Sequence, residues 1–237
     1  MSPDSLGPAV HVAAAAVIDA AGRVLIAQRP EGTHLAGGWE FPGGKLEPGE
    51  ERSKGLAREL REELGISIMG TPRPLIRVRH AYPAREVLID MWVVKRYEGE
   101  PRGLEGQALR WCTQDELAAV ELLPADKPIV AALRLPERLT QVSSPFYCIS
   151  DVGSLGRSMP SADTRAGGRL RGVICAGADE GLAAARAGAD FLGLRESLAD
   201  VEVAALCDRV PVPVFARGIR LERAWELGAS GIHEINV

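Results

Sequence analysis

Three carboxylates, Glu59, Glu62 and Glu63, crowd into five positions of the stretch "LARELREELG". On a helix, residues three and four apart share a face, so Glu59 stands beside both of the others. Carboxylates on one patch repel one another and raise one another's pKa. A multivalent cation would neutralise them. Ligands that are all oxygen suit a hard ion such as Mg²⁺, which keeps several waters and also binds substrate phosphates. Gly43 and Gly44 lie upstream. Glycine lets the backbone turn tightly, so the Gly43 carbonyl could face the same ion. Arg58 could pair with Glu62 one helical turn on, or with Glu50 across the loop. The competing reading is a solvated acidic face on an amphipathic helix, and the glutamates alone do not decide between the two.

Stepping outward from these residues, a helix is expected from about Ser53 to Leu64. Leu56, Leu60 and Leu64 repeat every four residues, which makes one face apolar, and Gly65 suits the position just past a helix end. Gly55 breaks the rule, because glycine inside a helix costs about 1 kcal/mol. "HVAAAAVID" and "RVLIAQR" read as a buried strand and its return. "PEGTHLAGGWEFPGG" reads as loop. "PLIRVRHAYP", "EVLIDMWVVKRYEG" and "ALRWCT" read as strands, the first two antiparallel. "QDELAAV" and "PADKPIVAALRLP" read as helices, which closes a first unit near Leu135. "ERLTQVSS" reads as a polar linker. Beyond it, "PFYCIS", "RGVIC", "ADFLGL", "VPVFAR" and "GIHEI" are short apolar strands. Most alternate with alanine-rich helices, a pattern that implies a parallel sheet. The intervening "DVGSLGRSMPSADTRAGGRL" has no periodicity and reads as a long loop.

Composition narrows the classes. The chain has 237 residues, 46% of them hydrophobic and 25% charged, with a net charge of -4. That is the profile of a globular protein, and it gives no general attraction to polyanions. No stable nucleic-acid complex is therefore expected. The four cysteines are far apart, with no paired spacing for zinc or a disulfide framework, which fits a reducing cytoplasm. The apolar N-terminal run lacks a basic leader and is too short to span a bilayer. His11, His80 and His233 show no ligand or nucleophile spacing and read as structural or exposed.

Gly44, Glu50, Arg58, Glu59, Glu62, Glu63 and Gly65 fit G-x5-E-x7-R-E-U-x-E-E-x-G-U without a gap, with Leu60 and Ile66 in the two apolar (U) positions. This resembles the Nudix box. With "VLIAQR", "WEFPGGKLEPGE", "RYEGEPRGLEGQALRW" and "LPADKPIVAAL", residues 10–135 look like the MutT-type 8-oxo-dGTP diphosphatases. The resemblance implies an α/β fold, an α/β/α sandwich around a mixed sheet. It also implies cleavage of a nucleoside triphosphate to monophosphate and pyrophosphate with Mg²⁺ or Mn²⁺. By position it assigns metal binding to Glu59, Glu63 and the Gly43 carbonyl, with Glu62 as a further ligand. Glu105 in "GLEGQ" matches a distant metal-binding or base glutamate. Glu59, Glu62 and Glu105 all remain candidates for the base. Arg29 matches a phosphate contact, and His34 and Phe41 match walls of the nucleoside pocket. The family's base-reading asparagine is replaced by Asp126. An ionised carboxylate only accepts hydrogen bonds, so a weaker or altered preference for 8-oxo-dGTP is expected. Alternatively, Asp126 caps the following helix.

Residues 145–237 resemble, less closely, the later strands of thiamine phosphate synthase, a TIM barrel. The expected organisation is thus a Nudix unit (1–135), a linker (136–144) and a smaller parallel βα unit, a partial barrel. Only five of the eight strands a barrel needs are recognisable. The phosphate-gripping Gly-Gly is reduced to Gly218, so synthase activity is not expected. Five parallel strands leave open edges, to be covered by the first unit, by loops or by a second chain in a homodimer.

Overall fold

In the computed structural model, residues 9–33, 35–144, 147–151 and 168–235 are described. The chain divides into two compact units, Met1–Pro74 with Arg79–Lys127, and Leu75–Val78 with Pro128–Val237.

The first unit is built on β1 (Val10–Val17), an alanine-rich strand whose small side chains let neighbours approach on both faces. β1 pairs in parallel with β7 (Arg85–Val94) and antiparallel with β4 (Gly43–Lys45). The sheet is therefore mixed, in the order β4-β1-β7-β6, where β6 is Arg73–Tyr82. A smaller sheet, β3-β2-β9, is formed by Trp39–Glu40, Val24–Gln28 and Leu109–Cys112. β5 (Ser67–Ile68) pairs with β8 (Tyr97–Glu98).

α1 (Arg52–Leu64) is the glutamate helix. Leu56, Leu60 and Leu64 are fully buried against Ala13, Ala15, Val17 and Trp92. Full burial of a leucine contributes about 1.5–3 kcal/mol, so this seam fixes the helix on the sheet. Gly65 ends it in the left-handed conformation (φ 69°), and its N–H donates to the carbonyls of Arg61 and Leu60. Gly55 now has a reason: a Cβ there would meet Leu46 Cδ2 and lie 2.8 Å from Glu50 Oε2. After β9 come α2 (Gln114–Ala119), capped by a Thr113/Glu116 box, a 3₁₀ turn (Pro124–Asp126) and α3 (Lys127–Arg134).

The second unit holds a six-stranded sheet, β10-β15-β14-β13-β12-β11, in which the strand pairs of the described residues are all parallel. Its strands are Arg138–Leu139, Tyr147–Asp151, Leu170–Cys175, Phe191–Leu194, Val214–Ala216 and Gly231–His233, β10 to β15 in chain order. β10 lies inside the stretch read as a linker. Side chains alternate across the sheet. Val173, Cys175, Leu192, Leu194, Val214 and Ala216 pack with residues of α4 (Ala178–Arg186), α5 (Asp200–Arg209) and α6 (Leu221–Glu226). Ile174, Phe191 and Phe215 point the other way, into a second core with Tyr147 and Leu139. Both faces are apolar, as parallel strands require. Along the outer edge of β11, Ile149 N–H donates to Val142 O and Ser144 N–H to Tyr147 O. A loop thus covers part of one edge left open in the sequence reading. The Gly/Ser/Arg stretch, 152–167, lies outside the described residues. No helix among the described residues is long and apolar enough to cross a membrane.

Candidate active site

The sequence pattern places the glutamates on α1, and the structure adds what holds them there. Arg58 donates through Nε and Nη2 to Glu50, at 3.0 and 2.9 Å, and through Nη1 to Glu59 (2.8 Å) and Glu62 (3.1 Å). Its Nη2 also donates to Lys45 O. Both partners proposed for Arg58 are therefore engaged, and Glu59 besides. Glu50 is pulled down to about 2 by the Arg58 hydrogen bonds and by the Glu47 N–H.

Glu63 points inward from the helix and accepts from Gly43 N–H at 3.0 Å. Burial, with the charges of Glu105, Glu40 and Glu59, pushes its carboxyl up to about 8 against that hydrogen bond. Burial also raises Glu59, opposed by Arg58. Gly44 makes room for Glu59: a Cβ there would fall 2.7 Å from Oε1 and closer still to the rest of the carboxylate. Gly43 is pressed onto β1, with φ +143° and no space between its missing Cβ and Ala13 O. Glu62 faces outward, its side chain 56% exposed.

A cavity of about 360 Å³ lies beside these groups. Its lining includes Gly43, Gly44, Glu63, Glu105, Tyr82, Arg85, Asp126, Arg29 and Glu40. Arg29 Nη1 donates to both carboxylate oxygens of Glu40, at 2.9 and 2.7 Å. Successive strand residues face opposite ways. Glu40 accordingly faces this cavity, while Trp39 lines a separate crevice with Arg110 and Lys127.

Asp126 is 5% exposed. Burial and the charge of Glu40 hold its pKa well above the usual carboxylate range, against the Phe41 N–H and Arg29. Its carboxyl thus takes a hydrogen bond from the loop after β3. Phe41, expected at the nucleoside pocket, is a buried core residue (3% exposed) whose N–H meets the Asp126 carboxyl. His34 lies outside the described residues.

Sequence reasoning passed over four cavity or near-cavity residues: Glu40, Tyr82, Arg85 and Gln107. Tyr82 and Arg85 flank the short turn between β6 and β7, where no spacing announces them. Arg85 Nε is buried without a hydrogen-bond partner. Glu40 stood beside Phe41 in a quoted motif, and its isolated acid in an apolar context was the available signal. His11 pairs with Asp90 at 2.5 Å, and Arg52 joins the same carboxylate. His233 is buried and braces β15 to β13 through Leu194 O. Both are structural roles.

Among the described residues, no three His, Cys, Asp or Glu side chains already converge as a metal-ligand set. The donors nevertheless fit a divalent cation. They are all oxygen, two of the carboxyls are raised by burial among like charges, and Gly44 leaves the Glu59 carboxylate room against the loop.

A family model described as "NUDIX domain" matches residues 13–132. The chain belongs to the Nudix family. Among curated proteins it is 41% identical over 118 residues to the "CTP pyrophosphohydrolase" of Escherichia coli (strain K12), covering 50% of this chain and 87% of that protein. It is 38% identical over 114 residues to the "8-oxo-dGTP diphosphatase" of the same organism, covering 47% and 85%. A solved MutT structure, from a study of the Aliivibrio salmonicida and Vibrio cholerae proteins, aligns over 53% of this chain and 97% of its own, with 30% identity and a TM-score of 0.46. The chain is an enzyme, a pyrophosphohydrolase of the Nudix family.

Proposed function

We propose that the chain hydrolyses a purine nucleoside triphosphate such as 8-oxo-dGTP to its monophosphate and pyrophosphate, and that its cation is Mg²⁺ or Mn²⁺. The observation that carries this reading is a single cavity lined both by the carboxylates of Glu40, Glu63 and Glu105 with Arg29, and by Tyr82, Arg85 and the buried Asp126. A nucleotide bears phosphates at one end and a flat polar base at the other, so one ligand answers both.

The cation would be held by Glu59, Glu63, Glu105 and the Gly43 carbonyl, with Glu62 as a further ligand; when bound it would neutralise phosphate charge and lower the pKa of the attacking water. Arg29, steadied by Glu40, presents guanidinium donors to phosphate oxygens. Glu105 and Glu59 are the candidate bases that combine proximity to Glu63 with a charge felt there. Glu62, turned toward solvent, suits that role least.

Asp126 sets the base preference. The expected weaker or altered preference for 8-oxo-dGTP assumed an ionised carboxylate. Burial favours the neutral acid, which both donates and accepts. Its carbonyl then takes N7–H of 8-oxoguanine and its hydroxyl donates to O6. Unmodified guanine offers two acceptors, N7 and O6, and leaves one of the pair unmet. A bidentate pair discriminates by about 1–3 kcal/mol. A second reading is a cytidine nucleotide: the same neutral acid matches the N3 acceptor and N4 amine of cytosine, and one relative is named for CTP.

Pyrophosphate release from 8-oxo-dGTP, dGTP and CTP tests the assignment. Preference for 8-oxo-dGTP over dGTP is expected, and hydrolysis should vanish in Glu63→Gln. Equal turnover of the two guanine nucleotides would overturn the Asp126 pairing. No turnover of any triphosphate would overturn the whole. We assign the chemistry to residues 1–135 and read residues 145–237, after the 136–144 stretch, as a partial barrel similar to thiamine phosphate synthase but without that activity. Its parallel strands with helices on one face support that reading. Homodimers through this unit are the associated proposal, checked by sedimentation.

A further inference from the structure

Glu105 sits on a surface loop, yet its charge is felt at both Glu59 and Glu63. A loop carboxylate with free rotation could not serve a cation held mainly by a helix, so the loop needs an anchor. Three hydrogen bonds tie it to the last turn of α1. Leu104 N–H donates to Glu63 O at 2.9 Å, and Arg102 N–H donates to Leu64 O at 3.1 Å. The third comes from a side chain: Gln107 Nε2 donates to Glu63 O at 3.1 Å. The other end of the same amide is also used, because Gln107 Oε1 accepts from Glu105 N–H at 2.9 Å.

Gln107 is 9% exposed, so its amide is a buried polar group that must be satisfied, and both its donor and its acceptor are. The loop is shaped to it. A Cβ at Gly103 would collide with Gln107 O and stand 3.1 Å from Oε1. Glutamine is also the fitting type here. Glutamate would face the Glu63 carbonyl with an acceptor and add a negative charge to an already acidic cluster. Asparagine is one methylene shorter.

We infer that Gln107 is a positioning residue for the hydrolysis, whose amide fixes the backbone of Glu105 against that of Glu63 so that the two carboxylates face one ligand. The inference rests on the hydrolase reading proposed above. Groups that orient metal ligands from behind are worth about 10- to 100-fold in metal affinity or activity.

The test uses the full chain and Gln107→Met, which keeps a linear side chain and removes both hydrogen bonds, with Glu105→Gln and the double variant completing a cycle. Mn²⁺ binding is read by electron paramagnetic resonance, kcat and KM by pyrophosphate release, and the Glu105 amide by hydrogen exchange. Gln107→Met should lower Mn²⁺ affinity and kcat by about 10- to 100-fold, leave KM for the nucleotide unchanged and speed exchange at Glu105. In the Glu105→Gln background the same change should cost little, because the carboxylate it positions is gone. An equal loss in both backgrounds would reduce Gln107 to a structural residue and overturn the inference. So would unchanged Mn²⁺ affinity and kcat in a chain that hydrolyses nucleotides, with the hydrolase reading left standing. If Gln107→Met does not fold, Gln107→Asn replaces it in the same cycle with the same expectations. If the unmodified chain hydrolyses nothing, the hydrolase reading falls, and unchanged Glu105 exchange in the variant would still refute the tie.

Discussion

Gly43 and Gly44 are neighbours on β4, but replacing each with alanine should give opposite results. At Gly44 the backbone suits any residue, and the obstacle is the Glu59 carboxylate, whose Oε1 lies 2.7 Å from where a Cβ would sit. That carboxylate is the far end of a flexible side chain and can swing away. The move breaks the Arg58–Glu59 ion pair, worth about 1 kcal/mol or less. Alanine for glycine at a compatible backbone returns about 0.4–1 kcal/mol. Gly44→Ala should therefore change stability by less than about 1 kcal/mol while displacing a proposed metal ligand. Activity should fall by at least about 10- to 100-fold. At Gly43 the obstacle is main chain: Ala14 Cα would be 2.5 Å from the new Cβ, and φ is +143°. Backbone strain of about 1–3 kcal/mol adds to overpacking of about 1–3 kcal/mol, so Gly43→Ala should destabilise by about 2–6 kcal/mol. Urea denaturation and pyrophosphate release on both variants decide the matter. Full activity in Gly44→Ala, or equal destabilisation by the two changes, would refute the reasoning.

Other expectations follow from the same contacts. Asp126 has a raised folded pKa, so from about 3.8 upward the unfolded chain releases a proton that the folded chain keeps. Stability contributed by this group falls with rising pH until the folded carboxyl also ionises. Asp126→Asn should thus gain on the parent as pH rises from 3.8, in denaturation midpoints taken across pH, and a constant difference would count against the buried neutral acid. The same variant should keep its preference for 8-oxo-dGTP over dGTP at any pH that ionises the parent's carboxyl and erodes the parent's preference, as kcat/KM ratios across pH would reveal. Gly55→Ala should destabilise α1 despite alanine's better helix propensity, because its Cβ meets Leu46, which is packed against the core beneath the helix, as well as Glu50, which Arg58 holds; a rise in Tm would contradict this. Arg58→Met should unpair Glu50 and Glu59 together, lowering Tm at low salt in the metal-free chain, with added Mn²⁺ restoring part of the loss.

The helix that carries the glutamates was legible because its signals are local: four-residue leucine spacing, a glycine at its end and a gapless motif. The parallel strands of the second unit were legible for a similar reason, since both of their faces are buried and they read as short apolar runs. β3, β4, β5 and β10 were not legible, and β8 was read only as the end of the strand before it. Each has two or three residues, and its conformation is set by a partner strand far away in sequence. Gly55 made sense only once Leu46 and Glu50 were seen to fold back on the helix. Arg85 and Tyr82 reach the cavity through strand pairing that no spacing encodes. Asp126 could be found by comparison with a motif, but the upward push on its pKa could not, because that depends on how deeply it is buried.

The guanidinium at position 58 has a consequence for how the enzyme rests between turnovers. It acts as a resident counter-ion, so the acidic helix does not need an incoming cation in order to stay folded. An arriving divalent ion would then replace one positive partner of Glu59 with another, and its apparent affinity would be the difference between two attractions. A site arranged in that way should load and unload more readily than the sum of its negative charges suggests.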